Sequence, residues 1–184
     1  MDQISNPFFS IITPVLNGER YVDNFIQSLL SQNFQNWECI LINDGSKDDS
    51  FQILKSKIKN DSRFKITKTN IKKKLIKSPY LARNKGLDLA IGIYICFLDI
   101  DDYWLPNKLS QEFKLIKDKQ NPELILGSYI KANKNLSFGY RKPRIDFIPI
   151  KWQVKIWNPC PLLATTILNK KIDSTRFEAF YHED

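Results

Sequence analysis

The feature that most constrains this chain is the alternation of apolar, strand-like runs with amphipathic stretches from residue 8 to residue 128. "FFSIIT" (8–13) is rich in strand formers, Pro14 is expected to end it, and "NGE" (17–19) turns the chain. Val22, Phe25, Ile26, Leu29 and Leu30 then recur at helical spacing, to about Gln32. "WECILIN" (37–43) reads as the second strand. In the "DGSKDDS" that follows, Ser46 is expected to cap a second helix with Asp49 in its first turn and Phe51, Leu54 and Ile58 on its apolar face. "FKIT" (64–67) is a third strand, and a basic loop follows to Pro79. "YLARNKGLDLAIG" (80–92) reads as a helix with Leu87, Ala90 and Ile91 inward, and "YICFL" (94–98) as the fourth strand. Pro106 suits the first turn of a helix carrying Leu109, Phe113 and Ile116. "ELILGSYIKA" (123–132) reads as one further strand and "LLATTIL" (162–168) as a late one, with hairpins or loops between 133 and 160. This alternation gives an α/β layer fold with a largely parallel central sheet flanked by helices. At 184 residues the chain fits a single domain with a real core.

In such sheets ligands bind beyond the carboxyl ends of the strands. Those ends are Thr13-Pro14 with Asn17, then Asn43-Asp44-Gly45, then the aspartates of "ICFLDIDDYW" (95–104). Asp99, Asp101 and Asp102 fall within four positions at the end of an apolar run. Like charges this close repel, and burying them is costly. A hard divalent cation, Mg²⁺ or Mn²⁺, makes the cluster tolerable by bridging one or two carboxylates to substrate phosphates. Neither GxGxxG nor GxxxxGK occurs, so the common glycine-rich phosphate cradles are absent. Zinc does not fit, because His182 is the only histidine and Cys39, Cys96 and Cys160 lack zinc-ligand spacing. The three cysteines read as small buried hydrophobes in a reducing, cytoplasmic setting.

The formal charge of +8 is unevenly placed. Residues 55–77 hold nine Lys and Arg63 against Asp61, so that stretch alone carries +9 and the remainder is near neutral. A second basic segment runs from Lys131 to Lys155. The plain reading is a solvated lysine surface. The functional reading is peripheral contact with an anionic membrane through the Lys72–Lys74 cluster. Nucleic acid is disfavoured, because the cluster lacks the interleaved aromatics of a single-strand groove. No apolar run is long enough for a spanning helix, and the N-terminus has no secretory pattern.

Taken together, "SIITPVLNGERYVDNFIQSLLSQNFQNWECILINDGSKDDS", "ARNKGLDLAIGIYICFLDIDDYWLPNKL" and the terminal "HED" resemble a family 2 glycosyltransferase of the GT-A type across essentially the whole chain. The resemblance implies a nucleotide-diphospho-sugar transferase fold, with a nucleotide-binding half over about 1–105 and an acceptor-side half over about 106–184. It implies transfer of a sugar, from a UDP-sugar by preference, to a saccharide or lipid-linked acceptor with inversion at the anomeric carbon. Thr13, Pro14, Asn17 and Glu19 would border the nucleotide, and Asp44 would accept a hydrogen bond from the base. Arg83 would lie near the base or diphosphate, and Asp99 would face the ribose and sugar. Asp101 would hold the metal, with Asp102 supporting it or facing the acceptor, and Asp184 would be the general base. Cell-surface polysaccharide or glycolipid synthesis is the family-level expectation, and the basic face fits a lipid-linked acceptor at the inner membrane surface.

The sequence departs from that pattern in three places. Leu16 stands where many members carry Tyr, and Ile100 is bulkier than the usual Ser or Ala between the aspartates. The chain also stops at Asp184, where members usually continue into a helix, so the acceptor side is expected to be incomplete at its C-terminus. Two other readings compete. One is a non-catalytic, nucleotide-sugar-binding remnant. The other is a haloacid-dehalogenase-type phosphatase, with Asp99 as nucleophile and Asp101 as acid/base. Against the phosphatase, three strand–helix units precede the motif and Tyr103 replaces a small residue.

Overall fold

The computed structural model describes residues 6–69, 79–132, 138–141, 162–172 and 176–177. Eight strands and four α-helices are laid down in it: β1 (Phe9–Val15), α1 (Val22–Leu30), β2 (Trp37–Asn43), α2 (Ser50–Ile58), β3 (Phe64–Lys68), α3 (Tyr80–Leu89), β4 (Tyr94–Phe97), α4 (Lys108–Asp118), β5 (Leu124–Leu126), β6 (Tyr129–Ala132), β7 (Phe138–Arg141) and β8 (Thr165–Leu168). Six of the strands form one sheet in the order β3-β2-β1-β4-β8-β5, and β6 and β7 form a separate hairpin. β3, β2, β1 and β4 run parallel, while β8 pairs antiparallel with both β4 and β5. The sheet is therefore mixed but mostly parallel.

β1, β2 and β4 are nearly continuous buried runs because both of their faces are covered, while β3, at the edge of the sheet, alternates apolar residues with exposed lysines. Phe9, Ile11, Cys39, Leu41 and Cys96 face one core with Phe25 and Leu29 of α1, Leu54 of α2 and Leu109 and Ile116 of α4. Ile12, Ile40, Ile42, Ile95 and Phe97 face the other, which α3 covers through Ala82 together with Ile172 and the half-buried Phe177. The approach of α3 is close: a Cβ on Gly86 would fall inside van der Waals contact with Ile12 Cγ2, and 3.1 Å from Ile42 Cδ1. A buried polar network ties the base of α3 to the sheet. Glu38, on β2, accepts hydrogen bonds from Ser10 Oγ (2.5 Å) and Ile91 N–H (3.0 Å) and pairs with Lys65 Nζ at 2.6 Å.

Four expectations need correction. β1 continues through Pro14 to Val15. Ile12 C=O accepts the Leu98 N–H (3.2 Å), so Pro14, two residues on, turns its missing donor toward the side where β4 has already ended. Ser46 does not cap α2. That helix starts at Ser50, where Asp48 Oδ1 accepts both the N–H (3.2 Å) and the hydroxyl (2.5 Å) of Ser50. The run 123–132 is two strands: at the break, Gly127 N–H donates to Ala164 C=O (2.7 Å), and the chain then leaves the main sheet for the hairpin. Ile91 is 50% exposed rather than inward, because α3 ends at Leu89 and Ala90 is already extended.

Candidate functional site

The carboxyl ends of β1, β2 and β4 open on one cleft of about 250 Å³, lined by Pro14, Leu16, Asn17, Gly18, Tyr21, Asp44, Pro79, Asp99, Ile100 and Asp101. The first two strand ends are bound to each other by side chains. Asn17 adopts a left-handed backbone (φ 52°), its N–H donates to Ser46 Oγ (3.1 Å), and its Oδ1 accepts the Lys47 N–H (2.8 Å). Ser46 Oγ donates in turn to Val15 C=O (3.3 Å). Asn43 Oδ1 accepts the N–H groups of Gly45 (3.1 Å) and Ser46 (2.8 Å), closing an Asx turn in which Gly45 supplies the positive φ of 92°. Glu19 makes two further bonds to the second loop: its N–H donates to Asp48 Oδ2 (2.9 Å), and its Oε2 accepts the Asp49 N–H (3.2 Å).

β4 brings the third wall. Asp102 N–H donates to Asp99 C=O (3.0 Å), folding residues 99–102 into a tight turn. Ile100, inside that turn, is buried against the first wall, and a Cβ on Gly18 would come within 2.8 Å of its Cγ1. Glycine at 18 and a branched residue at 100 thus dock the aspartate turn onto the β1 loop. Arg83, buried on α3, points Nη2 at both oxygens of Asp99 at 3.3 Å. Burial pushes the Asp102 carboxyl up to about 6, with the neighbouring charges of Asp99 and Asp101 adding to the shift. Behind the turn, Trp104 Nε1–H donates to Leu163 C=O (3.0 Å), and Lys108 Nζ lies 4.1 Å from the Trp104 ring centroid. Lys108 Nζ also pairs with the buried Glu112 at 2.7 Å.

The site residues expected from sequence divide by position. Pro14, Asn17, Asp44, Asp99 and Asp101 meet at the cleft, with Arg83 supporting Asp99. Asp102 is half-buried beside it. Thr13 is fully buried, its hydroxyl 3.9 Å from Cys39 Sγ, and Glu19 is spent on joining the two loops. Asp184, His182, Cys160, Lys72, Lys73, Lys74 and Lys77 lie outside the described residues, as does most of the second basic segment. From sequence, Asn43 is read only as a strand end, Ser46 only as a helix cap and Gly18 only as part of a turn, while Asn84 carries no site signal. The "NDGS" string already carries an Asx-turn signal for the first two.

Among the described residues no group of three metal-ligating side chains is gathered. Two carboxylates on an open cleft, Asp99 and Asp101, suit a cation that takes its remaining ligands from phosphate oxygens and water.

A model of the family described as glycosyl transferase family 2 matches residues 10–175. This chain belongs to glycosyltransferase family 2. Membership sets aside the phosphatase reading of Asp99 and Asp101. An uncharacterized glycosyltransferase of Haemophilus influenzae is 33% identical over 184 residues, covering 97% of this chain and 69% of that protein. The Escherichia coli protein named UDP-Glc:alpha-D-GlcNAc-diphosphoundecaprenol beta-1,3-glucosyltransferase WfgD is 37% identical over 131 residues, covering 71% of this chain but 49% of that protein. The crystal structure of S. aureus TarS 1-349 in complex with UDP superposes with a TM-score of 0.72 at 21% identity, over 89% of this chain and 47% of that one. The likeness establishes a GT-A fold. The chain spans only about half the length of WfgD and of that TarS structure.

Proposed function

We propose that this chain transfers a sugar from a nucleoside-diphosphate donor, by preference a UDP-sugar, to a saccharide or lipid-linked acceptor with inversion. The observation that carries this is the convergence of Asp44 from β2 with Asp99 and Asp101 from β4 on one cleft at the strand ends. Asp44 lines the cleft and would accept the N–H of a pyrimidine base, and the left-handed Asn17 shapes the loop beside it. The UDP bound to TarS and the diphosphoundecaprenol acceptor in the name of WfgD support the donor and acceptor classes. In this reading residues 1–105 form the nucleotide half and 106–184 the acceptor side.

Asp101, with Asp99 or Asp102, would hold Mn²⁺ or Mg²⁺. The cation, when bound, offsets charge building on the departing diphosphate. The chain's own groups do the rest. Arg83 holds Asp99 in place at the donor wall. A carboxylate on the acceptor side takes the hydroxyl proton as the acceptor oxygen bonds to the anomeric carbon and the sugar–phosphate bond breaks. Asp184 is the proposed base. Lysines of the 72–77 cluster would hold the protein at an anionic membrane surface near a lipid-linked acceptor.

The test is calorimetry of UDP with and without Mn²⁺. Asp101→Asn should weaken metal-dependent affinity about tenfold or more, because the cation would lose a charged oxygen ligand. Unchanged, metal-independent affinity in that variant would remove the carboxylates from the site.

A further inference from the structure

Asn84 lies on α3 beside Arg83 and grips a segment 93 residues away. Its Nδ2–H donates to Phe177 C=O at 2.8 Å, and Phe177 N–H donates to its Oδ1 at 2.8 Å. The side-chain amide thus satisfies both backbone groups of one residue, as a neighbouring strand would. Arg176 adds a second tie to the same helix, through Asp88 at 2.8 Å. The Phe177 ring then stands edge-on to Phe97, the last residue of β4, with centroids 5.4 Å apart. Arg83 Cζ lies 5.6 Å from the centroid of the same ring, and Arg83 Nη2 reaches Asp99. A continuous set of contacts therefore starts outside the cleft at Asn84, passes through Phe177 and Arg83, and ends on the cleft wall at Asp99.

We propose that Asn84 is a positioning residue: by gripping the Phe177 backbone it seats the ring against Phe97 and Arg83, and so fixes the Asp99 wall of the cleft to the segment that follows β8. The proposal rests on the reading above only in that Asp99 borders the donor. A helix residue that merely faced solvent would have no reason to spend both donor and acceptor on one distant peptide. A ring that merely filled core volume would not sit between the end of β4 and the guanidinium that holds Asp99.

Two variants separate the parts. Asn84→Ala removes both hydrogen bonds, and Phe177→Leu keeps them but removes the ring. The first readout needs no ligand: hydrogen exchange at the Leu98 and Asp102 amides, which donate to Ile12 C=O and Asp99 C=O. Cation–ring contacts shift an equilibrium from about twofold when exposed to about thirtyfold when desolvated; Arg83 is buried and Phe177 half-buried, so both variants should exchange about fivefold or more faster at these two amides. The Ile40 and Leu41 amides of β2 should keep their wild-type protection. The second readout is UDP affinity in Mn²⁺, expected to weaken by the same factor. Unchanged exchange at Leu98 and Asp102 in both variants would overturn the proposal. So would protection lost equally across β2, since that is general destabilisation rather than positioning. If wild-type protein binds no UDP while the local exchange pattern appears, the donor reading fails and the positioning role stands.

Discussion

Gly86→Ala sets two effects of opposite sign against each other. Gly86 lies in the interior of α3, where alanine is favoured over glycine by about 1 kcal/mol on helix propensity alone. An exposed site would therefore gain stability. Here the added methyl points into the sheet, against Ile12 Cγ2, with Ile12 Cγ1 and Ile42 Cδ1 both at 3.1 Å. Ile12 is on a central strand and fully buried, and its Cγ2 is bonded directly to Cβ. It has no flexible end to swing away, so helix and sheet must separate. Overpacking of this kind costs about 1–3 kcal/mol. The net expectation is a loss of up to about 2 kcal/mol, or up to several degrees in melting temperature for a chain of this size. Urea denaturation followed by circular dichroism measures it, as a lower midpoint at unchanged slope. A midpoint that rises would mean that α3 does not bear on Ile12 this closely, and the packing argument would fail. Because α3 also carries Arg83, a lifted helix should weaken UDP binding in the same variant.

Asp44→Ala is expected to lower UDP affinity by about 1.5–3 kcal/mol, the worth of a hydrogen bond to a charged acceptor, while leaving its Mn²⁺ dependence intact. A panel of UDP, GDP, CDP and dTDP in which GDP binds tightest would refute the uracil assignment. The raised Asp102 pKa has a definite sign: the folded state holds its proton up to about pH 6 and the unfolded state only to about 4, so the ionised carboxylate destabilises the fold above pH 6. Asp102→Asn should therefore be more stable than wild type at pH 7.5, the difference shrinking through pH 6 to nothing by about pH 4. A difference that does not vary with pH in denaturation curves would contradict this. Changing Lys72, Lys73, Lys74 and Lys77 to Ser should reduce co-sedimentation with anionic vesicles by about 1 kcal/mol per lysine at low salt. Unchanged co-sedimentation would leave the cluster as ordinary solvated surface.

What could be read from sequence was whatever depends on neighbours along the chain. The buried parallel strands announce themselves as runs of Ile, Leu, Phe and Cys, and their polar ends mark the cleft, so the positions of Asp44, Asp99 and Asp101 followed from the alternation alone. What could not be read depends on distant partners. Ile91 looked inward by helical period, but the turn that exposes it is held by Glu38, far back on β2. Ser46 has the right chemistry for a helix cap, and it is used across the sheet instead, because the left-handed Asn17 brings an N–H to it. Thr13 looked like a strand-end ligand, yet its hydroxyl lies beside Cys39 in the core. The grip of Asn84 on Phe177 carries no local signal at all.

β8 has a consequence for how this chain reaches its fold. It is inserted between β4 and β5 although it is made last of the six: Tyr94 pairs with Leu168, and Leu124 with Ile167. Until residue 168 has been synthesised, β4 presents an open apolar edge, and β5 has no partner in the sheet. Closing that gap joins residues about seventy positions apart, which is slow compared with local helix or hairpin formation. During that interval the half-built sheet offers a free edge to any other unfinished chain. Slower synthesis ahead of residue 165 prolongs that interval and should therefore lower the soluble yield.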